Sequence, residues 1–387
     1  MISLPDLKNA DVKGKKVFLR LDLDVPLSEQ STINNQSPQM RDPAAAGQLT
    51  IADDTRLRDS LETLKYILDD GATVIIAGHL GRPQNKFKIQ NSKFKIEKNK
   101  FSLEPVAKWY ANEFRVQNSE FRVQNIGGFD GWRISDKLFL LENLRFNSGE
   151  ESNDLLFSKK LASLADIYVN DAFASSHRVH ASIVGVAKLL PHFAGFMLKK
   201  EVETLSSLLE NPKRPLAVII GGAKIETKLP LVEKMHQIAD YVLVGGLIAE
   251  ETKVLLEVQH EKVSPPAGGR KSALLVADLN GNKTDITSKD AENFLQIISL
   301  AKTIVWNGSV GKTEGNEGNL EIGSAKLAKG IAESGAYTVV GGGDTIGYLK
   351  KIGLLDKFSF VSTGGGAMLE FLSGENLPGI EVLKVGY

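Results

Sequence analysis

Basic side chains stand where short apolar runs end in the first half of the chain. Asp22 and Asp24 follow the run 17–21. His79 and Arg82 lie in Gly78-His79-Leu80-Gly81-Arg82-Pro83. Arg145 follows 141–144, and His177, Arg178 and His180 follow 169–173. Arg56 closes Asp53-Asp54-Thr55-Arg56, ahead of a helical pattern. A guanidinium grips phosphate or carboxylate through two parallel hydrogen bonds. One such residue reads as a structural ion pair; several at successive strand ends suit a small, highly anionic ligand. His177 and His180 have zinc-ligand spacing, but the sequence sets no third His or Cys beside them. Ser176, His177 and Asp171 make a nucleophilic triad on paper, without the sharp elbow that exposes such a serine.

The second half carries glycine clusters instead. Gly221-Gly222-Ala223-Lys224 has Lys228 one helical turn later. Gly245-Gly246, Gly341-Gly342-Gly343-Asp344-Thr345 and Ser362-Thr363-Gly364-Gly365-Gly366 follow further apolar runs. Glycine lets the backbone approach phosphate oxygens, and a following helix N-terminus adds N–H donors and a favourable dipole. Asp344, just past such a turn, is a natural ligand for Mg²⁺ held on a nucleotide. Two look-alikes fail. Gly308-Ser309-Val310-Gly311-Lys312-Thr313 lacks the spacing of a Walker A loop, which needs glycine where Trp306 stands. The stretch 341–347 has Ile346 where a dinucleotide fingerprint needs its last glycine.

These residues need elements to hold them. Apolar runs at 17–21, 72–77, 138–141 and 167–169 read as strands, with helical patterns at 57–68 and 155–164 between them. After Pro215 the order restarts with strands at 216–220, 241–244, 303–306 and 337–340. This β-α-β order predicts α/β architecture, a parallel sheet in each half with helices on both faces. Ligands of such sheets bind at the carboxyl ends of strands. Length also argues for two domains, since 387 residues exceed what one core usually serves. The stretch 195–209 reads as an amphipathic helix connecting them. Residues 28–48 read as a polar loop, and near-repeats at 87–96 and 114–123 read as extended insertions.

Composition excludes several classes. With 47 basic and 47 acidic residues the net charge is zero, so no global field favours nucleic acid or an anionic membrane. The chain has no cysteine, which removes disulfides, zinc-thiolate sites and thiol nucleophiles. No apolar run approaches the roughly 20 residues that span a bilayer. A cytoplasmic protein is the expectation.

Read in order, the motifs resemble the signatures of phosphoglycerate kinase. They are Arg20-Leu21-Asp22-Leu23-Asp24-Val25-Pro26, Asp54-Thr55-Arg56, His79-Leu80-Gly81-Arg82-Pro83, Leu141-Glu142-Asn143-Leu144-Arg145-Phe146, Asn170-Asp171-Ala172-Phe173 and His177-Arg178-Val179-His180. Gly221-Gly222-Ala223-Lys224, Trp306-Asn307-Gly308, Gly341 to Thr345 and Ser362 to Ala367 continue the series along nearly the whole chain. The resemblance implies two Rossmann-like domains with parallel sheets, joined by a hinge helix. The substrate domain would span 1–194, the hinge 195–210 and the nucleotide domain 211–371, with the tail 372–387 returning to the first domain.

It also implies reversible phosphoryl transfer from 1,3-bisphosphoglycerate to MgADP, in line and on hinge closure, by a monomer without nucleic-acid or membrane partners. Asp22, Asp24, Arg56, His79, Arg82, Arg145 and Arg178 would hold 3-phosphoglycerate. Gly222, Lys224, Lys228, Gly245, Gly246, Asn307, Glu314, Gly343, Asp344 and Thr345 would hold ADP or ATP, with Asp344 taking Mg²⁺. Arg56, Lys224 and Lys228 would be catalytic, and Gly342, Gly343, Gly364 and Gly365 would present backbone to the phosphoryl group. An acyl phosphate is already activated, so positioning and charge stabilisation suffice.

Several positions depart from the family pattern. Asp24 replaces Asn, Leu247 a third glycine, Ser309 a proline, Lys312-Thr313 an apolar-aromatic pair and Phe360 a His, and 273–303 is short. A non-catalytic protein of the same fold is the alternative reading.

Overall fold

The computed structural model describes residues 2–29, 49–83, 100–116, 121–223, 225–259, 272–314 and 322–385. They form two compact units. The first holds Ser3–Lys200 with Pro378–Tyr387, the second Met1–Ile2 with Glu201–Leu377. The chain crosses between them inside the helix Phe196–Glu210.

Nine strands belong to the first unit: β1 (Lys16–Leu21), β2 (Leu27–Glu29), β3 (Leu49–Ile51), β4 (Thr73–Ala77), β5 (Arg122–Ile126), β6 (Phe129–Ser135), β7 (Leu138–Leu141), β8 (Ile167–Asp171) and β9 (His192–Ala194). Seven of them make a sheet ordered β5-β6-β7-β4-β1-β8-β9. From β7 to β9 the pairing is parallel. The central strands β1, β4 and β8 read as mostly apolar runs because nearly all of their side chains are buried.

The edge departs from the expected parallel sheet. β5, β6 and β7 pair antiparallel. Gly127 and Gly128, at φ +58° and +90°, make the tight turn between β5 and β6. β5 takes in Arg122 and Val123 of the second near-repeat, and residues 117–120 lie outside the described residues. So do 84–99, with all of the first repeat. The loop read from residue 28 onward begins later. Ser28 and Glu29 lie in β2, paired antiparallel with β3, and 30–48 lie outside the described residues.

The helical pattern at 57–68 forms two helices, Thr55–Asp59 and Leu61–Asp69. Ser60 divides them, its hydroxyl donating to the Leu57 carbonyl at 2.6 Å and meeting the Tyr110 hydroxyl at 2.8 Å. Serine in this role competes with the helix for backbone partners.

The second unit contains β10 (Leu216–Ile220), β11 (Tyr241–Val244), β12 (Ala273–Val276), β13 (Thr303–Asn307), β14 (Tyr337–Gly341) and β15 (Phe360–Val361). They form an all-parallel sheet ordered β12-β11-β10-β13-β14-β15. This is the doubly wound order, which reverses between its first and fourth strands, here β10 and β13. Ligands of such sheets bind at that reversal.

The helix Phe196–Glu210 starts on side chains of the first unit. Its Phe196 N–H donates to Thr63 Oγ1 at 2.9 Å and its Leu198 N–H to Asp171 Oδ1 at 2.8 Å. Burial is the main influence on Asp171 and pushes its carboxyl up to about 7, although Thr63 and the N–H groups of Leu198 and Met197 oppose it; Asp22 adds to the rise. The native state therefore binds a proton that the unfolded chain has lost above the ordinary value of 3.8. Stability from this group is full below that value and is lost as pH rises towards 7. Asp171→Asn, neutral at every pH, should lose most of this dependence. Its urea midpoint relative to wild type should be more favourable at pH 8 than at pH 5. A difference constant with pH would show that Asp171 is ionised throughout.

Candidate active site

The carboxyl ends of β1, β4 and β8 carry the acidic and basic residues of the first unit. Asp22 is held by the turn after β8, its carboxylate accepting from Ala174 N–H at 2.7 Å and Ser175 Oγ at 2.6 Å. Asp24 Oδ1 accepts from Gly81 N–H at 2.8 Å, which fastens the loop bearing His79 and Arg82. An asparagine oxygen could make the same bond, so the departure at Asp24 preserves this contact while exchanging a neutral amide donor for a carboxylate oxygen. Arg56 lies inside the helix Thr55–Asp59 rather than before it, and its Nη1 donates to the Asp24 carbonyl at 2.6 Å.

Arg145 is 2% exposed on the short 3₁₀ turn Leu144–Phe146. Its Nη1 donates to the Gly81 carbonyl at 2.7 Å, its Nε is 3.1 Å from Glu151 Oε1, and its Nη2 has no hydrogen-bond partner. Arg178 is partly exposed and Arg82 exposed. Burial depresses the His79 imidazole well below its ordinary value, and Arg20, Arg145, His180 and Arg178 depress it further. Burial and the same arginines pull His180 down to about 3. Both rings are neutral near pH 7. Positive charge here comes from arginines that cannot lose it.

Arg20 is a residue that the strand-end reading passed over. It is wholly buried inside β1. Its Nε donates to Ser182 Oγ at 2.9 Å, its Nη2 meets His79 Nδ1 at 2.9 Å, and its Nη1 donates to the Leu21 carbonyl. Ser182 in turn donates to the fully buried Glu150, from Oγ at 2.6 Å and from N–H at 3.0 Å. An arginine in the middle of an apolar strand was the available signal, since a buried charge needs a partner.

In the second unit the reversal point is built from touching loops. Gly221 N–H donates to the Asn307 carbonyl at 3.0 Å, Gly222 N–H to Ser309 at 2.8 Å and Gly246 N–H to Val310 at 2.8 Å. Gly245 N–H donates to Ile220 at 3.0 Å. These glycines therefore let loops pack on loops, and their N–H groups are engaged inside the protein. Lys228, 7% exposed, reaches from the helix Ile225–Ile238 to the side-chain oxygen and the carbonyl of Asn307. Lys224 lies outside the described residues. Thr345, 1% exposed, accepts from Gly308 N–H at 3.1 Å. Gly364 N–H donates to Ser362 Oγ at 3.2 Å. Gly342 at φ +93° and Gly365 at φ +51° precede helices at the ends of β14 and β15.

A cavity of about 350 Å³ opens beside this point. Asp344, Gly343, Gly347, Tyr348 and Lys351 line one side and Ser309, Lys312, Thr313 and Glu314 the other. Gly343 and Asp344 are the first residues of the helix Gly343–Lys351, whose first-turn N–H groups have no intrahelical partner. Among the departures, Lys312 and Ser309 line this cavity, Leu247 is 51% exposed, and Phe360 is buried in β15. No group of three His, Asp or Glu side chains able to hold a metal occurs among the described residues. One exposed carboxylate at a helix N-terminus instead fits Mg²⁺ carried on ligand phosphates, which keeps few protein ligands.

The family model for phosphoglycerate kinase matches residues 7–265 and 268–375. The chain belongs to the phosphoglycerate kinase family. It is 36% identical to the phosphoglycerate kinase of Dictyoglomus turgidum over 98% of each chain. It is 35% identical to cytosolic phosphoglycerate kinase 3 of Arabidopsis thaliana, again over 98% of each. Phosphoglycerate kinase from Coxiella burnetii superposes with a TM-score of 0.72 at 30% identity, covering 98% of this chain and 99% of that one. As in the rest of the phosphoglycerate kinase family, the activity is phosphoryl transfer to a carboxyl group.

Proposed function

We propose that the two units divide the reaction between them. The arginine cluster of the first unit takes 3-phosphoglycerate or 1,3-bisphosphoglycerate, and the cavity of the second takes ADP or ATP. The observation that supports this most is that cavity: it lies where the chain leaves β13 and β14, next to the reversal of a doubly wound sheet, and its lining includes Glu314, which we read as the ribose contact, and Asp344 at a helix N-terminus, which we read as facing phosphates.

Asp22 and Asp24 position loops around the acid, while Arg56, Arg82, Arg145 and Arg178 grip its anionic ends and His79 donates to them. Lys228 and Asn307 form one hydrogen-bonded pair beside the nucleotide. Lys224, with Arg56 and Lys228, faces the phosphoryl group in flight. Gly342, Gly343, Gly364 and Gly365 border its path, with Gly222, Gly245, Gly246 and Thr345 shaping the loops behind it. Bound with the nucleotide, Mg²⁺ held by Asp344 supplies charge neutralisation at the phosphate oxygens. The acyl phosphate needs no covalent nucleophile, so the side chains bind, align and stabilise charge in direct in-line transfer. Bending within Phe196–Glu210 brings the units together and excludes water. The proposal takes the protein to work as a cytoplasmic monomer. No helix among its described residues is long and apolar enough to cross a membrane.

The test is 3-phosphoglycerate-dependent consumption of MgATP, with GTP as a parallel donor. Lys228→Met should lower kcat/KM for MgATP by about 10²-fold, the usual scale for removing one charge-stabilising donor. Folded protein that turns over neither nucleotide would overturn the reading. Lys228→Met at full activity would remove Lys228 from the transfer step.

A further inference from the structure

Arg20 is wholly buried, so it can meet the substrate only through another residue. Its guanidinium is a donor at every position and never an acceptor. The 2.9 Å contact between Arg20 Nη2 and His79 Nδ1 therefore has one chemical meaning: Nδ1 is the acceptor. A neutral imidazole accepting at Nδ1 carries its proton on Nε2. Arg20 itself is fixed from behind, since Ser182 Oγ accepts from Arg20 Nε and donates to buried Glu150. The Glu150 carboxylate balances the guanidinium inside the fold, so this charge is spent on structure.

We propose that Arg20 is a positioning residue that locks His79 in the Nε2–H tautomer and so gives the anion site a neutral, directed donor. The proposal rests on the reading of His79 as a ligand of 3-phosphoglycerate. A fixed tautomer matters because an imidazole with its proton on Nδ1 would turn a lone pair towards the anion and repel it. Arg20 touches the ring; burial opposes a second proton there, and the charges of Arg20 and Arg145, with His180 and Arg178, oppose it further. The donor then persists without titrating.

The first test needs no variant. In protein labelled with ¹⁵N-histidine, long-range ¹H–¹⁵N correlation distinguishes the two tautomers and the imidazolium, and His79→Gln assigns the signal. His79 should show the neutral Nε2–H pattern throughout about pH 5 to 8, the range in which an unperturbed imidazole titrates. An Nδ1–H pattern, or a ring that protonates normally in that range, would overturn the proposal.

The second test removes the donor without stranding the buried carboxylate. In Arg20→Met/Glu150→Gln the His79 signal should become a mixture of tautomers. KM for 3-phosphoglycerate should rise about 10-fold while KM for MgATP stays within twofold, because a misdirected hydrogen bond weakens one ligand only. Arg20→Lys, which retains charge and a donor, should recover part of the loss. Retention of a pure Nε2–H signal in the double variant would sink the proposal even if KM rose. An unchanged KM in His79→Gln, with the tautomer as expected, would instead count against His79 as a substrate ligand and leave the Arg20 lock standing.

Discussion

Arg56→Ala should lower turnover by about 10²-fold or more, the scale of losing one donor aimed at developing charge. Phosphoryl transfer spreads negative charge over oxygens that are momentarily planar, and a rigid two-pronged cation meets that shape better than a point charge. The proposed function gives this role to Arg56. It projects from the five-residue helix Thr55–Asp59, and one of its hydrogen bonds goes to the neutral carbonyl of Asp24. The Asp24 carboxylate is occupied with Gly81 N–H. The fold should tolerate the change, because Leu57, the next residue, supplies the buried contact of that turn.

The neighbouring Arg58 is the matched control. It is exposed, paired with Asp54 at 2.8 Å and 5.8 Å from the Trp109 ring centroid. Arg58→Ala should leave kcat unchanged. Arg56→Lys should fall between wild type and Arg56→Ala, keeping charge and losing the fork. Circular dichroism and the urea midpoint verify folding. Equal kcat values for Arg56→Ala and Arg58→Ala would refute a transfer role for Arg56.

Much of this architecture was legible because the central strands announce themselves. The runs at 216–220 and 241–244 coincide with β10 and β11, since a strand covered on both faces has apolar residues throughout. The strand ends then pointed to Asp22, His79 and Arg145 before any contact was known. The antiparallel edge was not legible. β5 has the burial of an edge strand, mostly exposed, and Arg122, Gln124 and Asn125 give it no apolar pattern. Nor was the partnership of Arg20 with Ser182 and Glu150, which joins residues distant in sequence through a buried network.

The glycine clusters were legible as places of close backbone approach, without the identity of the approaching group. Glycine does mark close backbone approach, but at Gly222 and Gly246 the approaching group is another loop's carbonyl. A sequence shows that something must come near a glycine; it does not show what.

Gly308→Ala makes that point testable, and its effect on stability should be large. An added Cβ would stand 2.1 Å from the Gly221 carbonyl oxygen and 2.5 Å from its carbon. Neither loop can move aside cheaply, because Gly221 and Gly222 donate to the carbonyls of Asn307 and Ser309 on either side of position 308. The backbone there also has φ +93°, which a side chain disfavours. Clash and strain together should cost roughly 3 kcal/mol or more.

Gly335→Ala separates the two causes. Its φ is +66°, but no heavy atom lies within 4 Å of the added Cβ, so only strain applies. That variant should lose about 1 kcal/mol. Hydrogen exchange locates the damage: in Gly308→Ala protection should fall along β10 and β13 and persist along β1 and β8. Because Lys228 is anchored on Asn307 and Thr345 accepts from Gly308 N–H, opening the loops also unseats two residues of the proposed nucleotide site. MgADP binding should therefore weaken at least 10-fold, a change of about 1.4 kcal/mol, while 3-phosphoglycerate binding holds. If Gly308→Ala behaved like Gly335→Ala in both stability and MgADP affinity, the loops would have room that this structure denies them, and the glycines at the reversal point would revert to facing the phosphates directly.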